Sequence, residues 1–282
     1  MNAAGQLVAS ARAGVRRRLV CYFVLACGLS WLWLVPLMVS GDVVHPGDGR
    51  PAHFPALIGP AVAAVVTAAV FDGRAGVGEL LRRVIRLRVP LRWWAVALSP
   101  VAILAAVLLT GVAMGGSMPA TADLAVMSGL PAGWGVLGVV SMVLVVNGFG
   151  EETGWRGFAL PVAQGRFGPL SSTMIVAGGW AVWHLPLFAV VESFRDFGNA
   201  TLVGWLLGLF CGAVFSTWLF NRGGGSVAIV AVWHGAYNVA SATRAAEGLV
   251  AAMVTTVVIV AALALVGAEI RAITRHTVSV LA

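Results

Sequence analysis

The chain has 282 residues, 60% of them hydrophobic and only 10% charged, with a formal net charge of +7. An apolar share of about 45–50% is usual for soluble domains, so this composition excludes a soluble globular protein and indicates a polytopic membrane protein. All 18 basic residues are arginine. They flank apolar runs and form no basic face interleaved with aromatics, which excludes nucleic acid as a partner and assigns the charge to membrane orientation.

At the N-terminus Arg12, Arg16, Arg17 and Arg18 precede an apolar run from Leu19 to Val39. The run is too long for a signal-peptide core and has no small-residue cleavage site, so it reads as a retained first helix. Seven further segments approach the roughly 20 apolar residues that cross a bilayer. They are Pro55 to Phe71, Trp93 to Met114, Trp134 to Phe149, Ser171 to Val191, Thr201 to Phe220, Val227 to Ala246 and Leu249 to Val266. The expected fold is an all-α bundle of about eight transmembrane helices in a single membrane domain, 1–282, with its motif-bearing core at 134–246.

Eight spans put both termini on one side and sort the arginines fifteen against three, with Arg50, Arg195 and Arg244 on the minority side. By the positive-inside rule both termini are expected in the cytoplasm of what reads as a bacterial plasma membrane. Between the second and third spans, Gly78 to Arg88 alternates apolar residues and arginines at helical spacing, predicting a cytoplasmic amphipathic helix that attracts anionic lipid. The Pro/Gly-rich stretch from Gly41 to His53 predicts an irregular external loop with His45 and His53 solvated. Gly204, Gly208 and Gly212 recur every four residues, a helix-packing pattern. Cys21, Cys27 and Cys211 sit singly in apolar runs and read as small buried hydrophobes.

The chemistry gathers after the fourth apolar run, in Val146-Asn-Gly-Phe-Gly-Glu-Glu-Thr-Gly-Trp-Arg-Gly-Phe-Ala-Leu-Pro161. Charge at membrane depth costs roughly 2.5 to 3.5 kcal/mol per group and marks function when it persists. Glu152 and Arg156 are four apart and can pair on one helix face, freeing Glu151 for acid–base work. The same string also fits a solvated acidic helix start, and spacing alone does not separate the two. His184 follows Trp180 by one turn, and His234 and Asn238 are four apart on one face of the seventh span. Lipid satisfies none of these groups, so the bundle must turn them inward, and three helices then supply one acid–base cluster.

Glu-Glu-x-x-x-Arg, an aromatic-x-x-x-His and His-x-x-x-Asn, each on its own helix, resemble the CAAX protease and bacteriocin-processing (CPBP) family of intramembrane proteases. The likeness runs from about Asn147 to Ala240. One departure is Trp180, where the family often has phenylalanine. The resemblance implies that Glu151 is the catalytic carboxylate and that His184 helps it activate a water. It implies further that His234 and Asn238 stabilise the oxyanion or complete a metal site, with Glu152, Arg156 and Trp180 in support. Glu151, His184 and His234 would make a three-ligand zinc site. The expected partners are membrane lipid and a peptide or membrane-protein substrate. Two other classes fit the same residues, a proton-coupled transporter and a non-catalytic immunity or scaffold protein.

Overall fold

A computed structural model describes residues 3–282, with side chains described from Ala13 onward, so Arg12 lies outside the described side chains. The architecture is all-α. Its principal helices are α1 (Ala3–Ser40), α2 (Gly59–Val84), α3 (Leu91–Ala97), α4 (Ser99–Ala113), α5 (Ala132–Gln164), α6 (Pro169–Trp183), α7 (Asn199–Arg222), α8 (Val227–Ala242) and α9 (Leu249–Thr274). Among the described residues extended backbone pairs only at isolated bridges.

All eight apolar segments are helical, but eight full spans are not reached. Six helices are long and apolar enough to cross a membrane by themselves. The third segment is broken into α3 and α4 with a bend of 49°, and counted as one span it would make seven. The break coincides with Pro100, whose ring removes a backbone donor and is tolerated in the first turn of α4. The remaining segment, α8, has 16 residues. At about 1.5 Å per residue that is roughly 24 Å, short of the ~30 Å hydrocarbon core. Its first turn and a half, Val227 to Ala231, is buried on every side. Protein, not lipid, surrounds that end, and such a helix needs no membrane-spanning length.

The basic stretch after the second span is helical as far as Val84, in a segment set off from the span by a kink. Gly73 breaks α2 at φ 60°, ψ −152°, a backbone only glycine adopts readily, and the helix then resumes as far as Val84. Arg86 and Arg88 fall in the connection that follows. Glu79 pairs with Arg82 at 2.8 Å and with Arg83 at 3.1 Å, and Arg83 donates to the carbonyl of Gly157 at 2.8 Å. This arm therefore clasps α5.

The 41–53 loop is irregular, as expected, yet it is tied down. Val44 N donates to Val190 O, Glu192 N to Val44 O, and Gly47 N to Met127 O. His53 is buried at 9% exposure against Phe54 and not solvated. Burial pushes its imidazole down to about 4. His45 stays exposed and pairs with Glu192 at 2.9 Å. Of the three glycines in α7 only Gly208 makes a tight approach, to Thr255, while Gly204 meets open space.

Candidate active site

α5 is the central helix, and its glycines explain why. A Cβ at Gly148 would lie 2.6 Å from the carbonyl oxygen of Ala231 in α8, and one at Gly154 would fall on the Tyr22 hydroxyl and lie 2.6 Å from Pro60 O. Without side chains there, α8 approaches from one flank and α1 with the start of α2 from the other. The helix continues through both glutamates, with a wider π-helical winding over Val143–Glu151 and again over Trp155–Ala159. Such local widening is a frequent feature of functional sites.

The carboxylates therefore lie inside protein, with Glu151 at 3% and Glu152 at 0% exposure. Glu152 Oε1 accepts from Arg156 Nη1 at 2.8 Å, the pairing its spacing predicts. The same oxygen faces His234 Nδ1 at 2.9 Å. A side chain leans toward the N-terminus of its helix, so His234 reaches back to the level where α8 meets α5. Arg156 is 1% exposed. It balances a buried carboxylate and says nothing of sidedness.

Trp180 of α6 joins the parts. Its Nε1–H donates to Glu151 Oε2 at 2.8 Å. Its ring face lies 4.9 Å below the Arg156 guanidinium carbon, a cation–π contact. Its ring centroid stands 5.5 Å from that of His184 and 5.4 Å from that of His234. Its carbonyl accepts from His184 Nδ1 at 2.7 Å. A carbonyl can only accept, so Nδ1 carries the proton and the neutral ring's Nε2 keeps its lone pair. Asn238 is half-buried one turn beyond His234 and stands outside this hydrogen-bonded cluster.

The buried Tyr22 hydroxyl, Glu152 Oε2, and Nε and Nη2 of Arg156 have no protein partner. Polar capacity of that kind inside a protein suits ordered water. The zinc set expected from the sequence is not assembled: among the described residues no group of three or more His, Cys, Asp or Glu side chains could hold a metal ion. The indole of Trp180 touches both imidazoles, whereas zinc bonds need ligand atoms at about 2 Å.

A cleft of about 710 Å³ opens on the other flank of α5, around Arg18, Asp72, Glu79 and Arg83. Its charges are already paired, Arg18 with Asp72 at 2.6 Å and Glu79 with Arg83 at 3.1 Å. The acid–base cluster at Trp180 is the better candidate.

Residues 131–240 match the family described as type II CAAX prenyl endopeptidase Rce1-like. The chain is also 22% identical over 210 residues to CAAX prenyl protease 2 of Methanococcus maripaludis, covering 72% of this chain and 76% of that protein. Over this region the chain is similar to the CAAX proteases of the CPBP family. The matched region contains every site residue named from the sequence.

Sequence reasoning passed over two contacts of this site and one buried polar group. Trp180 reads as an aromatic wall, yet its N–H holds Glu151. Glu152 and His234 pair across 82 residues of sequence, which no spacing reveals. Asn147 is buried in the π-helical stretch with its Oδ1 unpartnered; its polarity within an apolar run was the available signal.

Proposed function

We propose that Glu151 is the general base of a peptide hydrolysis carried out at the membrane, without a covalent intermediate. Water attacks the scissile carbonyl carbon and its proton passes to Glu151, which then delivers it to the departing amine as the C–N bond breaks. One water is consumed, and a carboxylic acid and an amine leave. His184, with Nδ1–H committed to Trp180 O, offers Nε2 to orient the water. His234, held at Nδ1 by Glu152, carries an Nε2–H in its protonated form that can donate to the tetrahedral oxyanion, with Asn238 as a second donor. Glu152 and Arg156 keep this interior electrically balanced.

The observation that carries the reading is the convergence of Glu151, His184 and His234 on Trp180. We place the N-terminus in the cytoplasm, on the arginines that gather before the first span and after the second, and propose that substrate enters from that leaflet. The substrate class is a peptide whose scissile bond lies close to the membrane surface. The name of the archaeal relative makes a prenylated CAAX peptide the first to try. Purified protein is incubated with a farnesylated CAAX peptide and with its unlipidated twin, and products are read by mass spectrometry. Internal cleavage of either supports the proposal. Intact peptides together with proton-coupled uptake in proteoliposomes overturn it in favour of a transporter.

A further inference from the structure

Ser30 bonds differently from six other hydroxyl residues in or at the end of the helices. Thr67, Thr110, Thr173, Ser241, Thr243 and Thr256 each donate to the carbonyl four residues back. That local bond keeps a helix self-contained. Ser30, fully buried in α1, turns outward from its own helix. Its Oγ donates to Ala56 O at 2.7 Å and accepts the indole N–H of Trp183 at 2.7 Å. The next residue, Trp31, donates its indole N–H to the main-chain carbonyl of Trp183 at 3.1 Å.

Two consecutive residues of α1 therefore grip both the side chain and the backbone of the residue just before His184. The carbonyl they hold is free for a local reason. In an unbroken helix Trp183 O would accept from Leu187 N, but the chain tightens at Pro186 and Leu187 N bonds to His184 O at 2.9 Å. Space for the relay comes from Gly59, where a Cβ would fall on Ser30 Oγ. The Trp183 ring so fixed is fully buried, meets His184 edge-to-face at 4.9 Å between centroids, and packs against Trp155 at 6.1 Å.

We infer that Ser30 and Trp31 are positioning residues for His184: α1, outside the family-matched stretch, sets the orientation of the imidazole through Trp183. This rests on the proposed role of His184 in hydrolysis. The ring has one internal anchor, Nδ1–H on Trp180 O. Trp183 is the nearest of the four rings that wall it in, beside Trp205, Trp180 and Phe194, and Ser30 holds that ring in place.

The test measures kcat, KM and thermal midpoint for full-length Ser30→Ala, Trp183→Phe, the double variant and His184→Ala, on a peptide the wild type cleaves. Both single variants lose the Trp183 N–H···Oγ bond; Ser30→Ala also gives up the bond to Ala56 O, and Trp183→Phe part of a buried ring. Because sub-ångström placement governs proton-transfer steps, each is expected to lower kcat by roughly 10- to 100-fold with KM within about twofold. The double variant should lose less than the product of the two single losses, since the bond they share can be lost only once. Unchanged kcat, losses that multiply, or a rise in KM alone overturns the inference. Full activity in His184→Ala instead overturns the catalytic reading beneath it, whatever Ser30 does. If both single variants fail to fold, Trp31→Phe, which loses only the bond to Trp183 O, takes their place with the same expected kcat loss, and unchanged kcat there overturns the inference.

Discussion

Replacing Trp180 with phenylalanine isolates one hydrogen bond. The benzene ring keeps a face for the Arg156 guanidinium, now 4.9 Å from the indole centroid. The backbone carbonyl that anchors His184 is untouched. What disappears is the Nε1–H that holds Glu151 Oε2 at 2.8 Å. A hydrogen bond to a charged acceptor contributes about 1.5–3 kcal/mol. If that orienting energy acts in the transition state, at about 1.36 kcal/mol per decade, kcat falls roughly 10- to 150-fold. Trp180→Leu removes the ring face as well and should also lower the thermal midpoint, through loss of a cation–π contact of about 0.5–2 kcal/mol. The assay is mass-spectrometric cleavage rate at saturating peptide, beside a melting curve in the same detergent. A Trp180→Phe enzyme with wild-type kcat would refute the claim that the indole N–H orients the base.

Three further outcomes follow from the same geometry. Glu152→Ala strands the buried Arg156 without its counter-charge, and breaking such a pair costs about 3–5 kcal/mol, so the variant should show a large drop in thermal midpoint or folded yield. Exhaustive chelation should leave peptide cleavage intact, because the acid and the two imidazoles are not disposed to share an ion; loss of activity restored by zinc alone would contradict this. His53 gives an acid-stability test: its folded value is about 4 against an ordinary 6.5, so between these the unfolded chain binds a proton that the folded chain does not. Stability falls as pH drops from 6.5 toward 4, by at most roughly 3 kcal/mol, and levels off below. His53→Gln should flatten that part of the midpoint-against-pH curve, and an unchanged slope would assign the acid sensitivity elsewhere.

Hydropathy located every long helix, because lipid and protein interior both demand apolar side chains. For that same reason it could not tell α8, whose first half is sheathed in protein, from a helix that spans lipid. The bend at Pro100 was visible as a residue but not as an angle, since proline in a first helical turn continues a helix as readily as it starts one. Spacing predicted the Glu152–Arg156 pair, a contact within one helix. It could not predict which carboxylate His234 would meet, because that depends on how closely α5 and α8 approach at Gly148. His53 misled because a Pro/Gly-rich loop was equated with a wet one. In the folded chain that loop is hydrogen-bonded to the 126–132 and 190–192 segments, and His53 is buried against Phe54. Ser30 offered no signal at all: a serine in a membrane helix most often bonds to its own backbone.

The most direct measurement compares single-turnover cleavage by wild type, Glu151→Gln and Glu151→Asp at matched folded fraction. Glutamine keeps the shape and an acceptor for Trp180 but cannot take the proton from water. The account predicts that Glu151→Gln cleaves about 100- to 10,000-fold more slowly with peptide binding preserved, and that the shortened acid regains part of the rate. Wild-type cleavage by Glu151→Gln would contradict it.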